Sequence, residues 1–345
     1  MCGNNSLVIK IKVYLVQLLR VLGYLSFAKI VNYLRLKISY LLLSFTAGFF
    51  KKSCPFFISV EPVDFCNLYC PHCPVGQRKD PIRRRNTMKM SLFSKLIDEL
   101  SGHLLHVIFY FQGEPLLAKH LPEMIRYAHD RGIYTSTSTN AQLLDREMAE
   151  RLIRSGLDKL IVSVDGSRQE SYERYRVGGS LDRALNGLVQ VLDLRKELKR
   201  FTPFVEMQCL LLSSNEEQLE DIRSLAKKLG VDKLTFKRAQ FYNFEKGDPL
   251  MPQNPKFSRY KLDSNGNYVL KREVKRRCRR LWMGAVVTAQ GEVLPCCFDK
   301  SADFSFGTIA EQSFMACWHG ARAQKFRRNF LEHSKRFEMC RNCSG

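Results

Sequence analysis

From residue 55 onward the apolar positions of the chain switch repeatedly between two periods. The runs FFISV, HVIFYF, YTSTST, KLIVSV, FVEMQCLLL and KLTFKRA are short and rich in β-branched and aromatic residues, and they predict six strands. Between them, SLFSKLIDEL, LPEMIRYAHDRG, REMAERLIRSG, LDRALNGLVQVLDLRKEL and NEEQLEDIRSLAKKLG carry apolar residues at helical spacing. Three of these helices stop at a glycine, Gly132, Gly156 and Gly230, as helix C-termini do. Strands alternating with helices imply parallel βαβ units, hence an α/β sheet or a partial (β/α)6 barrel of parallel strands. Ligands of such folds sit on the loops past the strands' C-terminal ends. Here CNLYCPHC follows the first strand, QGEP the second, TNA the third and DGS the fourth.

Ahead of the repeat, Phe27, Ile30, Leu34, Ile38 and Leu41 share one helical face, with Lys29, Asn32, Arg35 and Ser39 opposite; Leu36 interrupts the polar face. No acidic residue precedes Glu61, whereas Lys10, Lys12, Arg20, Lys29, Arg35, Lys37, Lys51 and Lys52 do. Two readings follow: a helical extension packed on the main domain, or a basic amphipathic segment resting on an anionic membrane. The longest uncharged run there, residues 38–50, is too short to span a bilayer. No small-residue cleavage site follows a single apolar region, so a secretory signal is not expected. Around Asn243 the rhythm gives way to the polar, Pro-rich EKGDPLMPQNPKFSRYKLDSNGNY. We therefore divide the chain into an extension (1–52), a core (53–243) and a small cysteine-rich α+β module (244–345) with a hairpin-like AVVTAQGEVLPCC and a terminal CRNC.

Charge widens the choice of partners. With 55 Lys and Arg against 34 Asp and Glu the chain carries +21, a field that attracts phosphates, anionic headgroups or acidic polymers. The cysteines narrow it: the twelve fall into a tight trio and a C-terminal set, a pattern of metal ligation in a reducing, cytoplasmic compartment and not of disulfides.

Thiolates are soft ligands suited to zinc, copper(I) or iron–sulfur clusters. A closed structural zinc site takes four protein ligands, so Cys66, Cys70 and Cys73 on one loop argue for a metal centre with an open position. His72 lies between two of them in a turn, an awkward geometry for a fourth ligand. A 4Fe–4S cluster held by three thiolates leaves one iron open to substrate or cofactor.

CxxxCxxC after the first strand of a βα repeat, with the aromatic Tyr69 before its second cysteine, resembles the radical S-adenosylmethionine (SAM) superfamily over about residues 55–345. The resemblance implies that Gln112, Gly113, Glu114 and Pro115 stand in the family's GGEP segment, which holds the methionine amino group, with Gln112 replacing the first glycine. It places Thr139 and Asn140 in a TNG-like strand end facing ribose and adenine, with Ala141 replacing the glycine. Ser163 and Arg176 match SAM-contacting positions of peptide-modifying members, the guanidinium suiting a carboxylate, and Asp165 points into the same mouth. The implied chemistry is one-electron cleavage of SAM to a 5'-deoxyadenosyl radical that takes a hydrogen atom from substrate, fed by a reducing partner such as flavodoxin or ferredoxin.

Cys278, Cys296, Cys340 and Cys343 resemble the SPASM or shorter twitch module, in its version with one auxiliary 4Fe–4S cluster. Cys297 competes with Cys296; Cys209 and Cys317 read as core, and Cys2 and Cys54 carry no assigned role. A structural zinc ribbon is the competing reading of this tail. Asp299 takes no role from the resemblance, and no catalytic residue is assigned.

Two functional classes remain. One is a radical SAM oxidoreductase acting on a peptide or a sugar-like metabolite, its substrate selected by residues 245–268. The other is a zinc-containing nucleic-acid-binding protein, suggested by RKDPIRRR (78–85) and KREVKRRCRR (271–280), with a radical enzyme acting on RNA as a mixed case. The chain shows no familiar RNA-binding module, so nucleic acid is not the expected partner.

Overall fold

The computed structural model describes residues 15–42, 48–77, 85–272, 278–333 and 337–343. Cys2, Lys10, Lys12 and most of the two basic runs, residues 78–84 and 273–277, lie outside the described residues.

The six strands are all present: β1 (Phe57–Val60), β2 (His106–Phe109), β3 (Tyr134–Thr139), β4 (Lys159–Ser163), β5 (Phe204–Leu211) and β6 (Lys233–Arg238). They pair in chain order and all in parallel. Alternation along each strand sorts the residues between two layers. Val107, Phe109, Leu160, Val162, Val205 and Met207 pack outward into one apolar core with the intervening helices, which supply Phe93, Ile97, Leu121, Leu152 and Leu188. The alternate positions turn inward and mix apolar residues such as Ile108 and Ile161 with polar ones. His106 meets Ser136 at 2.7 Å, and the Lys159 ammonium pairs with Glu206 at 2.8 Å. Gly132, Gly156 and Gly230 each follow a helix with φ of 66°, 82° and 75°, the left-handed turn that glycine adopts without steric cost.

Two features differ from the sequence pattern. The predicted start of the last core helix at Asn215 unwinds to Leu219, because the Asn215 side chain accepts from Leu212 N–H and donates to the carbonyls of Asp165 and Leu210. Within the linker, β7 (Tyr260–Leu262) and β8 (Tyr268–Leu270) form an antiparallel hairpin. The Asn-Gly pair at 265–266 was its signal.

The cysteine-rich tail shares the barrel's sheet. β9 (Gly284–Val287) runs parallel to β1 on its open side, and β10 (Val293–Leu294) pairs antiparallel with β9, giving the order β10-β9-β1-β2-β3-β4-β5-β6. Glu99 anchors a tail helix: its carboxylate accepts the N–H groups of Phe314 and Met315 at 2.8 and 2.9 Å, at the start of Phe314–His319.

The N-terminal segment folds as α1 (Leu15–Gly23) and α2 (Phe27–Leu42), bent by 103° between them. They lie across the end of the barrel where the strands begin. Their inward side is the polar one. Asn32, fully buried, donates to the Cys54 and His103 carbonyls and accepts Cys54 N–H; Lys29 reaches the Gly132 carbonyl. Arg20 and Tyr24 both donate to the buried Asp158 carboxylate, at 2.8 and 2.9 Å. The apolar residues that the helical period groups together face outward: Phe27 is 84% exposed, Leu34 51% and Ile38 45%. Among the described residues no single helix is long and apolar enough to cross a membrane.

Candidate cluster and cofactor site

The loops past the C-terminal ends of β1 to β4 meet at one end of the barrel, and their hydrogen bonds tie the sequence motifs together. After β1 the chain enters the cysteine loop. Cys73 N–H closes a turn onto the Cys70 carbonyl at 3.1 Å, and Leu68 N–H points at the Cys66 sulfur at 3.4 Å. Cys70 is buried, with Cys66 and Cys73 half-buried. Burial pushes the Cys66 thiol up to about 12 and raises that of Cys70, which Arg176 pulls partly back. Metal loading at these sulfurs therefore releases protons.

After β2, Gly113 adopts φ 70°, and a Cβ there would stand 2.3 Å from the Val63 carbonyl oxygen of the cysteine loop. Only glycine fits this approach, so the second glycine-like position of the motif is the one that bears the steric demand. Gln112 is buried and donates from Nε2 to the Lys300 carbonyl at 2.8 Å, locking the tail onto this loop. Its Oε1 is buried with no hydrogen-bond partner among the described residues. Pro115 opens a short 3-10 helix that Glu114 caps.

Glu114 is the hub. Its Oε1 accepts from Thr139 Oγ1 at 2.6 Å and Leu116 N–H at 3.1 Å, and its Oε2 accepts Asn140 N–H at 2.8 Å. Burial raises its carboxyl group above the ordinary range while these donors pull it back. A carboxylate offers about four lone-pair sites, so three are filled and one on Oε2 remains. The Asn140 side chain in turn donates to Asn67 Oδ1 at 2.8 Å and lies 3.7 Å from the Cys66 sulfur. Asn67, inside the cysteine motif, was missed by sequence reasoning; its only signal was a polar residue between Cys66 and an apolar Leu68. Ala141 sits at φ 60°, the left-handed region that a glycine at this position would enter without strain.

After β4, Ser163 and Asp165 are buried at the strand end. Asp165 accepts Leu210 N–H at 2.7 Å and Arg176 Nε at 2.6 Å. Burial opposes the Arg176 charge, yet Asp165 and Cys70 outweigh it and hold the guanidinium firmly protonated. Arg176 Nη1 approaches the Cys70 sulfur at 3.9 Å, so the cation lies between the carboxylate and the cysteine loop. His72 turns into the linker, pairing with Asp248 at 3.0 Å and packing edge-on against Phe241.

In the tail, Cys278, Cys296, Cys340 and Cys343 lie near enough to act on one another electrostatically. Burial raises the Cys278, Cys296 and Cys340 thiols, and the other members of the group add to each shift. Cys297, the charged neighbour that acts most on Cys296, accepts from Arg280 Nη1 at 2.7 Å beside Phe111 and Leu294. Asp299 folds its own loop by accepting the N–H groups of Asp303 and Phe304, and burial pushes its carboxyl up to about 6. Cys209 and Cys317 are core residues. Among the described residues no three His, Cys, Asp or Glu side chains converge on a position for a single metal ion. The donor chemistry, thiols without oxygen ligands, suits an iron–sulfur cluster at each set.

Comparison with known proteins places these two regions. Residues 60–226 match the Radical SAM superfamily and residues 278–344 match SPASM, an iron–sulfur cluster-binding domain. Fe-coproporphyrin III synthase of Methanosarcina barkeri is 41% identical over 123 residues, 36% of this chain and 30% of that protein. PqqA peptide cyclase of Granulibacter bethesdensis is 26% identical over 313 residues, 84% of this chain and 79% of that one. AdoMet-dependent heme synthase of M. barkeri is 31% identical over 178 residues, 51% of this chain and 48% of that one. The chain thus spans less than half the length of either synthase. Streptococcus suis SuiB bound to S-adenosylmethionine shares the fold with a TM-score of 0.62 at 15% identity, over 84% of this chain and 72% of that one. Native anSMEcpe with bound AdoMet shares it with a TM-score of 0.59 at 18% identity, over 84% and 89%. With one matched segment supplying the barrel loops that converge on Glu114 and the other gathering the tail cysteines, the chain belongs to the radical SAM superfamily and carries a SPASM iron–sulfur domain.

Proposed function

We propose that this protein is a radical SAM oxidoreductase that oxidises or cross-links a peptide or a small metabolite at the loop end of its barrel. One observation carries the reading: Glu114 joins the second and third loops, and Asn140 carries the link on to Cys66, so the thiol trio and a carboxylate with one remaining lone-pair site belong to one rigid unit. Cys66, Cys70 and Cys73 would hold a 4Fe–4S cluster, which when bound supplies the electron that cleaves SAM. The remaining Oε2 site of Glu114 suits the SAM ammonium, and the Nη groups of Arg176, whose Nε is committed to Asp165, suit its carboxylate. Gln112, Gly113 and Pro115 shape the loop, Thr139 and Asn140 border the adenosine side, and Ser163 closes the floor.

Cys278, Cys296, Cys340 and Cys343 would hold one auxiliary cluster, linked to the first site through the Gln112–Lys300 contact and suited to accepting an electron from oxidised substrate. A flavodoxin- or ferredoxin-like protein would supply the reductant. The β7–β8 hairpin, packed with Phe241 and Tyr260 against Leu68 and Cys70, forms one wall of the substrate entrance. Relatives named for a peptide and for heme products leave both substrate classes open.

The test is iron and acid-labile sulfide per chain after anaerobic reconstitution. Wild type should hold about eight irons and the Cys66→Ala/Cys70→Ala/Cys73→Ala variant about four. Cys296→Ala should also lose about four irons, whereas Cys297→Ala keeps about eight. Zinc in place of iron in every sample would sink the proposal.

A further inference from the structure

We propose that the outward faces of α1 and α2 form a docking surface for an anionic lipid membrane, with the barrel seated on it by the end at which its strands begin. The helices are inside out for a soluble extension. Their polar residues are consumed in fixing them to the barrel: Asn32 to Cys54 and His103, Lys29 to Gly132, Arg20 and Tyr24 to Asp158. What remains outside is aliphatic and aromatic. Eleven of the seventeen large apolar side chains exposed among the described residues lie within residues 15–42, so this is one continuous patch and not the ordinary scatter of surface hydrophobes.

Length and geometry argue for a helix pair lying on the interface. Neither helix alone can span a bilayer, and the 103° bend keeps the two from acting as one straight span. Both outward faces are apolar, which suits burial to the depth of the headgroup and upper acyl region.

Charge selects the occupant. Arg35 and Lys37 flank the apolar face half-buried, Lys51 and Lys52 are exposed just beyond it, and the first 60 residues contain no carboxylate. Two copies packed face to face would bring these cations together without acidic partners from the same segment. A bilayer with anionic headgroups pairs with them while its acyl region takes the aliphatic face.

Full-length protein would be sedimented with vesicles of phosphatidylcholine alone and of phosphatidylcholine with phosphatidylglycerol. Wild type should partition into the anionic vesicles, weakly into the neutral ones, and less in high salt. Leu34→Glu/Ile38→Glu on α2 and, separately, Leu19→Glu/Leu22→Glu on α1 should each reduce partitioning by roughly tenfold or more. Leu262→Glu, at an exposed position on the β7–β8 hairpin at the opposite, loop end of the barrel, should leave it unchanged. Circular dichroism and reconstituted iron content should match wild type in all variants, which separates loss of docking from loss of fold or of the cluster reading. Equal partitioning of wild type and the helix variants would overturn the proposal. So would absence of vesicle binding, whether or not a concentration-dependent dimer dissolved by the same substitutions appears in its place.

Discussion

Replacing Glu114 by glutamine removes one oxygen from the hub of the site and leaves its shape intact. Glutamine has one carbonyl oxygen and one NH2 group. With the oxygen at Oε1 it keeps Thr139 and Leu116, but its NH2 then confronts Asn140 N–H, which now donates 2.8 Å to Oε2. The opposite orientation keeps Asn140 and strands Leu116 N–H, while the Thr139 hydroxyl has to turn from donor to acceptor. The better arrangement loses one charge-assisted hydrogen bond and strands a buried N–H, together about 2–4 kcal/mol. For a chain of this size that corresponds to a fall in apparent melting temperature of roughly 4–8 °C, measured anaerobically on the metal-free protein. The ligand effect is separable. If the remaining Oε2 site takes the SAM ammonium, the reconstituted variant should bind SAM some 10- to 100-fold more weakly by equilibrium titration. Melting within 1 °C of wild type would refute the role of Glu114 as hub. A lowered melting temperature with unchanged SAM affinity would refute its ligand role alone.

Ala141 holds a left-handed conformation, so Ala141→Gly should be neutral or stabilising by up to about 1 kcal/mol, whereas Ala141→Val should cost about 2 kcal/mol or more, both read from thermal unfolding. His106 is predicted to tilt the acid limb of stability: burial, with Lys159 adding, lowers its pKa from 6.5 to about 3, so below pH 6.5 the unfolded chain takes up a proton that the folded one refuses. Stability from this group is therefore lost as pH falls from 6.5 toward 3, and His106→Asn should flatten the denaturant midpoint between pH 6.5 and 4; parallel slopes for the two proteins would refute it.

The six core strands were legible in the sequence because they are short runs rich in β-branched and aromatic residues set between helical stretches, and the loop motifs were legible because βα order puts them on one end. Which helical face of residues 27–41 turns inward was not. Periodicity groups Phe27 with Leu34 and Asn32 with Ser39, but burying either group is open to a helix whose polar side chains find backbone partners, as Asn32 does on Cys54. The links that make the site were equally hidden. Glu114 to Asn140 and Gln112 to Lys300 join residues 26 and 188 positions apart, and only the folded barrel brings them within reach. For the tail, spacing favoured Cys296 over Cys297 only weakly; in the fold the two open a turn that Asp299 N–H closes onto the Cys296 carbonyl, and their partners differ, Cys296 accepting Phe298 N–H and Cys297 accepting from Arg280.

The pairing of β9 with β1 has a consequence for how the polypeptide is made. β1 is the first barrel strand to leave the ribosome, yet its outer edge stays unsatisfied until Gly284–Val287 arrives; Ala289 N–H then reaches back to Glu61 across 228 residues. Through most of synthesis the nascent chain carries an apolar, half-paired strand next to its cysteine loop, the kind of edge that recruits other chains. Truncation ahead of Gly284 would therefore reopen that edge as well as remove tail cysteines, and such truncated forms should be found in the insoluble fraction before any question of iron content arises.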